Sequence, residues 1–148
     1  MINDEEKWDL RFLGLAQQIS TFSKDPSTVV GSVITDRNHR LISSGYNGFP
    51  KGIKDIDERY SDRNLKYLLI IHAEMNSIIF AERNLEDCII YTTPFPPCSN
   101  CAGAIINSGI KRVVSFDNDL ENPRWKNGFE LSAMMYKEAG VTLDLYHR

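Results

Sequence analysis

Apolar residues recur at two different spacings along this chain, and the order in which the spacings alternate limits the possible folds. Residues 5–23 carry apolar side chains at helical spacing, and the Asp25-Pro26 step predicts the end of that helix. Two β-branched segments follow at 28–35 and 39–48, and the charged link between them favours a hairpin. The chain is therefore predicted to begin with one helix and two paired strands.

Helix and strand patterns then alternate to the end of the sequence. Helical spacing is found at 72–84, 99–109 and 127–139, and short buried strands are predicted at 87–93, 111–116 and 141–146. Such alternation implies a sheet with helices on both faces, so we expect an α/β fold with five strands in one sheet. A chain of 148 residues without a long linker fits a single domain, 1–148.

Charge and hydropathy exclude several classes of protein. The formal net charge of -3 argues against a large basic surface that holds a polynucleotide. No apolar run approaches the ~18 residues needed to span a bilayer, and the acidic N-terminus differs from a signal peptide. Three cysteines, an odd number, argue against a disulfide framework. We expect a cytoplasmic protein that binds neither a membrane nor a polynucleotide.

Residues 48–66 interrupt the regular pattern. The segment is polar and contains two glycines and a proline, so it is predicted to be a long irregular loop. Loops of this length inside a compact domain are usually functional.

Cys98 and Cys101 stand where the helix predicted at 99–109 begins, about one turn apart and able to face the same point. The positive end of the helix favours thiolates there. Such a pair is open to three interpretations: two small buried residues, a thioredoxin-type redox pair, or a metal site. The metal interpretation gains from His72 at another helix start, because one histidine and two cysteines leave a zinc coordination position open, as in catalytic sites.

Glu74 follows His72 by two positions. Residues two apart on a helix point in different directions, so Glu74 is expected to flank the metal without sharing the ligand position of His72. Zinc lowers the pKa of bound water from ~16 to ~7, and hydrolysis by the resulting hydroxide also needs a group that moves protons. The alternative is that Glu74 is only an acidic residue in a first helical turn, where the helix dipole stabilises it.

Two short motifs connect these residues to a known family. "HAE" at 72–74 and "PPCSNC" at 96–101 match the H-x-E and P-C-x-x-C signature of the zinc-dependent nucleobase deaminases. The segments "SKDPSTVVGSVI", "SSGYNGFPKG", "HAEMNSI", "YTTPFPPCSNCAGAIINSGIKRVV" and "AGVTLDLY" resemble, in that order, the deoxycytidylate deaminases, and they span most of the chain. The resemblance implies a three-layer α/β/α cytidine deaminase-like fold with a mixed sheet. It also implies zinc-dependent hydrolysis of deoxycytidine monophosphate (dCMP) to deoxyuridine monophosphate (dUMP) and ammonia.

The resemblance also assigns roles to individual residues. His72, Cys98 and Cys101 correspond to the ligands of one catalytic zinc ion per chain, and Glu74 corresponds to the proton shuttle. Asn47 corresponds to the asparagine that contacts the sugar, although Asn-Gly alone also favours a tight turn. The remaining residues expected to bind substrate are Ser23, Lys24, Ser27, Thr28, Ala73, Phe95 and Pro96.

Lys24 is the leading candidate for a contact with the substrate phosphate, because a monophosphate requires a cation near the pocket. The alternative is a solvated lysine near a helix end. Ser23, Ser27 and Thr28 would add hydroxyl donors. Phe95 with its neighbouring prolines would line the pocket and stack on the pyrimidine, although an aromatic residue after a strand is more often part of the core.

The resemblance extends to assembly and control. Deoxycytidylate deaminases form homo-oligomers, usually hexamers, and some respond to deoxycytidine and thymidine triphosphates (dCTP and dTTP). The 48–66 segment would then form part of the effector site. However, the segment after the fourth strand has Asp119 where an effector-stacking tyrosine is expected. Control by dCTP and dTTP is therefore left open.

Two alternative functions remain at this stage. One is deamination of a base within RNA or DNA, which the negative net charge of the chain disfavours. The other is a non-catalytic, zinc-stabilised domain that senses nucleotides, for which Glu74 would have no use.

Overall fold

The structure, a computed structural model, describes residues 1–148 and contains six helices and five strands. The helices are α1 (Asp4–Ser20), α2 (Asp57–Ser61), α3 (Arg63–Leu69), α4 (Ala73–Ala81), α5 (Ser99–Asn107) and α6 (Lys126–Ala139). The strands are β1 (Gly31–Thr35), β2 (Leu41–Tyr46), β3 (Ile89–Thr93), β4 (Arg112–Phe116) and β5 (Thr142–Tyr146). No helix has the length and apolar content required to cross a membrane.

All five strands form one mixed sheet in the order β2-β1-β3-β4-β5. β1 is antiparallel to both β2 and β3, whereas β3, β4 and β5 are parallel to one another. The parallel pairs are connected through α5 and α6, as parallel connections require a crossover. The predictions of a β1–β2 hairpin and of a single mixed five-stranded sheet are confirmed.

The sheet has a hydrophobic core on each face, because successive side chains of a strand point to opposite faces. α1 supplies Phe12, Leu13 and Ala16 to the first core, and α5 and α6 supply Ala102, Ile105 and Tyr136 to the second. The central strands serve both cores through adjacent residues: Val33 and Ile34 on β1, Tyr91 and Ile90 on β3, and Val114 and Val113 on β4. The predicted three-layer α/β/α arrangement is confirmed.

A buried ion-pair network fastens α1 to the far edge of the sheet. The Arg112 guanidinium donates through Nη1 to Asp9 Oδ1 at 2.8 Å and through Nε to Asp144 Oδ2 at 2.7 Å. Tyr146 Oη donates to Asp9 Oδ2 at 2.6 Å, and Asp9 itself is only 1% exposed. The carboxylate of Asp9 is thus satisfied by groups from both β4 and β5.

Gly45 on β2 allows the start of α4 to lie directly on the sheet. A Cβ atom at this position would lie 2.5 Å from the carbonyl oxygen of Ala73 and 2.5 Å from the amide nitrogen of Ser77. Any larger residue would therefore push α4 away from β2. The position of the first turn of α4, which carries Glu74, depends on this glycine.

The prediction of an irregular loop over 48–66 is wrong for its second half, which contains α2 and the start of α3. Asp62 is the N-cap of α3, and its side chain accepts a hydrogen bond from the Leu65 amide at 3.2 Å. The helix places Lys66 in a buried position, so tertiary packing stabilises a short helix that the apolar periodicity alone does not reveal.

Candidate active site

A pocket of about 390 Å³ opens at one edge of the sheet, where several elements begin or end together. Because β1 is antiparallel to its neighbours, the start of β1 lies beside the ends of β2 and β3. Helices α4 and α5 both begin at this edge and bring His72 and Cys98 to the pocket. The pocket therefore lies at the carboxyl ends of β2 and β3 and the amino end of β1, and α/β proteins usually bind their ligands at the carboxyl ends of strands.

His72, Cys98 and Cys101 form a compact group of metal-ligating side chains. His72 is the N-cap residue of α4 and Cys98 that of α5, and neither side chain makes a capping hydrogen bond. His72 Nδ1 lies 3.4 Å from Cys98 Sγ and 3.3 Å from Cys101 Sγ, and all three ligand atoms lie within 4.8 Å of one another. One imidazole and two thiols at this spacing suit a zinc ion with one open coordination position.

The electrostatics of the three side chains favour a cation. A hydrogen bond from Cys101 lowers the pKa of the Cys98 thiol, which favours its thiolate form. The same hydrogen bond, together with burial, raises the pKa of Cys101, and a hydrogen bond to Cys98 raises the pKa of His72. Cys101 is buried and His72 is exposed, so the accessible side of the group faces the pocket.

Glu74 lies in the first turn of α4 and lines the same pocket. Its side chain is only 4% exposed, and this burial raises the pKa of its carboxyl group to about 7. A carboxyl group with a pKa near neutrality is suited both to accept and to donate a proton. The structure therefore brings a possible proton carrier to the group that can hold the metal.

Asn47 is buried at the end of β2, and it lines the pocket with Ser27 and Thr28. Its Nδ2 donates to the Thr28 carbonyl at 2.9 Å and to Asp25 Oδ2 at 3.3 Å. Its Oδ1 accepts a hydrogen bond from the Val30 amide at 2.9 Å. This wall of the pocket is thus one connected hydrogen-bond network.

An aromatic cluster forms another part of the lining. Phe95, Pro96 and Ala73, three of the residues expected to bind substrate, line the pocket. Phe95 packs with Trp125 and Phe129, at ring-centroid distances of 6.4 and 6.0 Å. Neither of these two residues is a site residue predicted from the sequence, because both are distant from the signature motifs.

Two predicted substrate contacts lie outside this pocket. The Lys24 ammonium is exposed and pairs with Asp55 at 3.4 Å. The Ser23 hydroxyl donates to the Asn47 carbonyl at 2.8 Å, so it supports the pocket wall without lining it.

The cations that do line the pocket are Arg63, Lys66 and Arg124. Arg63 Nη1 donates to Tyr67 Oη at 3.0 Å, and Arg124 donates to the same oxygen through Nη2. None of these three cations is among the residues predicted from the sequence. Arg63 and Lys66 lie in α3, which the apolar pattern does not reveal, and Arg124 lies in an irregular segment after β4.

Comparison with known proteins adds independent evidence. Residues 6–116 match the family model described as the cytidine and deoxycytidylate deaminase zinc-binding region. The chain is 44% identical over 136 residues to an uncharacterized deaminase of Aliivibrio fischeri, with 91% of this chain and 90% of that protein covered. It is 32% identical over 148 residues to the deoxycytidylate deaminase of Homo sapiens, with 95% of this chain and 80% of that protein covered.

The fold is similar to that of solved structures. The dCMP deaminase of cyanophage S-TIM5, solved in complex with dCMP and dUMP, aligns with a TM-score of 0.74 over 99% of this chain and 100% of that chain. The sequence identity in this alignment is 19%, so the similarity concerns the fold. The predicted cytidine deaminase-like fold is confirmed.

Proposed function

The chain belongs to the cytidine and deoxycytidylate deaminase zinc-binding family, and we propose that it hydrolyses dCMP to dUMP and ammonia. Deoxycytidylate deaminases of Mus musculus and Homo sapiens, at 34% and 32% identity, support this choice of substrate. The observation that carries the proposal is the convergence of a histidine, two cysteines and a buried glutamate on one pocket.

His72, Cys98 and Cys101 would hold the zinc ion, with the pocket side of the group open. Zinc bound there supplies a water molecule of lowered pKa as the nucleophile at neutral pH. This requires the two thiols to be deprotonated, and the lowered pKa of Cys98 favours the first deprotonation.

Glu74 would move the protons of the reaction. It accepts a proton from the attacking water and donates it to the ring nitrogen next to the amine-bearing carbon, while the new C–O bond forms. It then carries the remaining water proton to the amine, the C–N bond breaks and ammonia leaves. The raised pKa of the Glu74 carboxyl group, about 7, suits both directions of transfer.

The nucleoside part of the substrate would bind between the polar and aromatic walls. Phe95 is positioned to pack on the pyrimidine, and Pro96 and Ala73 complete the apolar contact. Both Nδ2 hydrogens of Asn47 are already used within the protein, so Asn47 can offer the substrate only the second lone pair of Oδ1. A sugar hydroxyl is a suitable donor to this atom, and Ser27 and Thr28 lie beside it.

Arg63 and Arg124 would bind the phosphate. Both guanidinium groups donate to the phenol oxygen of Tyr67, and neither lies within ion-pair distance of a carboxylate. The two guanidinium groups are therefore available to an anion at the pocket, and guanidinium groups bind phosphate oxygens through paired hydrogen bonds. Lys24, by contrast, already pairs with Asp55.

The family resemblance also bears on domain organisation, localisation and assembly. We propose that residues 1–148 act as one catalytic domain in the cytoplasm, and that copies of the chain assemble into a homo-oligomer, with a hexamer as the first candidate. The resemblance of the sequence to the deoxycytidylate deaminases supports this proposal. Control by dCTP and dTTP is the remaining question, since Asp119 occupies the position where an effector-stacking tyrosine is expected.

An ammonia-release assay tests the proposed substrate. The substrates are dCMP, deoxycytidine, cytidine, cytosine and a single-stranded oligonucleotide, each with and without dCTP and dTTP. We expect turnover of dCMP to exceed that of every other substrate. Greater activity on the oligonucleotide, or no ammonia release by the zinc-loaded protein from any free pyrimidine, would contradict the proposal.

The variant Arg124→Met tests the phosphate cluster. Losing one charge-assisted contact should raise KM for dCMP by about 10-fold or more while binding of deoxycytidine stays unchanged. If both ligands weaken equally, Arg124 acts on the pocket as a whole and the assignment to phosphate fails.

A further inference from the structure

Lys66 is a buried cation that the proposed reaction does not use. It lies on α3 with 8% of its surface exposed, and its Nζ is 2.9 Å from both Oδ1 and Oδ2 of Asp25. The Asp25 side chain is only 3% exposed. The other lysine ion pairs of the chain, such as Lys7 with Asp4, are largely exposed. Lys66 with Asp25 is the lysine ion pair in which both side chains are buried.

Asp25 connects this lysine to the polar wall of the pocket. Its Oδ1 accepts from the backbone amides of Ser27 at 2.8 Å and Thr28 at 3.4 Å, and its Oδ2 accepts from Asn47 Nδ2 at 3.3 Å. All of these residues line the pocket. The carboxylate thus fixes both the turn that carries the two hydroxyl groups and the orientation of the Asn47 amide.

The orientation of this amide decides what the wall can recognise. One Nδ2 hydrogen is directed to Asp25 and the other to the Thr28 carbonyl, so Oδ1 is the atom left with spare hydrogen-bonding capacity. The Asp25 carboxylate is thus one of the two acceptors that hold the amide in this orientation. A buried carboxylate remains ionised at low cost only when it has a charged partner and further hydrogen bonds.

We propose that Lys66 is a positioning residue for substrate binding, which acts through Asp25 to hold Asn47, Ser27 and Thr28 in the geometry that receives the nucleoside. The inference rests on the proposed function, because it concerns the same pocket. Lys66 does not itself bind the phosphate: its ammonium is buried on Asp25, whereas Arg63 and Arg124 have no carboxylate partner.

Kinetics of the variant Lys66→Met provide the first test, with the exposed Lys7→Met as the matched control. In Lys66→Met, KM for dCMP should rise by about 10-fold or more while zinc content stays at one ion per chain and kcat changes much less. Lys66→Arg, which keeps the charge, should recover most of the loss. Lys7→Met should match the wild type.

Inhibition by the product dUMP and by deoxyuridine, which lacks the phosphate, distinguishes a positioning role of Lys66 from a direct phosphate contact. Inhibition constants of dUMP and of deoxyuridine should rise by the same factor in Lys66→Met, because the wall that weakens contacts the nucleoside. A loss confined to dUMP would make Lys66 a phosphate contact and overturn the proposal, as would an unchanged KM.

The double variant Asp25→Asn with Lys66→Met separates positioning from stability. A neutral asparagine removes the unpaired buried charge, so the melting temperature should return towards that of the wild type. Its amide turns a donor towards Asn47 Nδ2, which is also a donor, so KM should stay high. If KM recovers together with the melting temperature, the role of Lys66 is only structural and the proposal is wrong.

Amide hydrogen exchange tests the network without any substrate. Exchange at Ser27, Thr28 and Val30 should be faster in Lys66→Met than in the wild type and unchanged in Lys7→Met. Equal rates in the two variants would overturn the inference even if dCMP is the substrate. Conversely, a wild-type protein that is inactive on dCMP would refute the proposed function while this exchange result still decides the role of Lys66.

Discussion

Replacement of Glu74 by glutamine isolates the proton-transfer role from every other function of the site. The carboxylate forms no hydrogen bond with another residue; the Ser77 hydroxyl donates to the main-chain carbonyl of Glu74, at 2.8 Å, and not to its side chain. The amide has nearly the same shape, so the replacement should leave α4 and the three metal-ligating side chains in place. What it removes is the capacity to accept and donate a proton.

The magnitude of the effect follows from the number of transfers and from burial. One positioned general acid or base contributes about 10²–10⁴ to the rate, and the proposed reaction uses Glu74 for two successive transfers. Because the side chain is only 4% exposed, bulk water has little access to replace it. We expect kcat to fall by at least ~10³-fold, which corresponds to about 4 kcal/mol in activation free energy.

The assay compares turnover, metal content and stability of the same preparations. Release of ammonia from dCMP gives kcat, atomic absorption gives zinc per chain, and calorimetry gives the melting temperature. Glu130→Gln, an exposed position on α6, is the control for the chemical change itself. A Glu74→Gln variant that keeps its zinc and retains about a tenth or more of the wild-type kcat would refute the assignment, because one lost general base already exceeds that effect.

Three further predictions concern the metal, the sheet and the start of α4. Cys101→Ser should lose both zinc and ammonia release, whereas Cys88→Ser in the core should keep both; equal zinc content would contradict the ligand assignment. Arg112→Met leaves a buried carboxylate unpaired and should lower the free energy of unfolding by about 3–5 kcal/mol. The melting temperature should then fall by roughly 6–20 °C, and a shift within the error of calorimetry would contradict this. Gly45→Ala should lower both stability and kcat, because the new Cβ would lie 2.5 Å from backbone atoms of α4. Gly14→Ala, with nothing within 4 Å, should instead stabilise α1 by about 0.5–1 kcal/mol; equal effects of the two changes on kcat would contradict the role of the close contact.

The grouping of His72, Cys98 and Cys101 was predictable from sequence because the relevant information is local. Cys98 and Cys101 are separated by one helical turn, and His72 stands at the start of a helix whose apolar pattern is easy to recognise. A local pattern of this kind fixes both the residue types and the direction in which they emerge. Their meeting then requires only that two helices begin at the same edge of the sheet, which the alternation of helices and strands implies.

The cations of the pocket could not be predicted in the same way. Arg63 and Arg124 belong to separate segments that meet only at Tyr67, so no spacing in the sequence connects them. Lys24 was the expected cation because of its position in a recognisable motif, but its ammonium pairs with Asp55. The position of Lys24 in the sequence predicted that it lies near the pocket. Which charged group it pairs with depends on the tertiary fold and could not be predicted from sequence.

The starts of α4 and α5 at the site, like those of α2 and α6, have no side-chain capping hydrogen bond. Asn3 and Asp62 cap α1 and α3 with side-chain hydrogen bonds, as stable helix starts usually require. His72 and Cys98 occupy the same position in α4 and α5 and make no such bond, which forgoes about 1 kcal/mol at each helix. At α4 and α5, the residue in the capping position is one that would bind the metal. A metal held by these two residues would restore order to both helix starts, so chelation should accelerate amide exchange in the first turns of α4 and α5 but not of α1. Uniform exchange rates across the three helices after chelation would show that the fold, and not the metal, maintains the site.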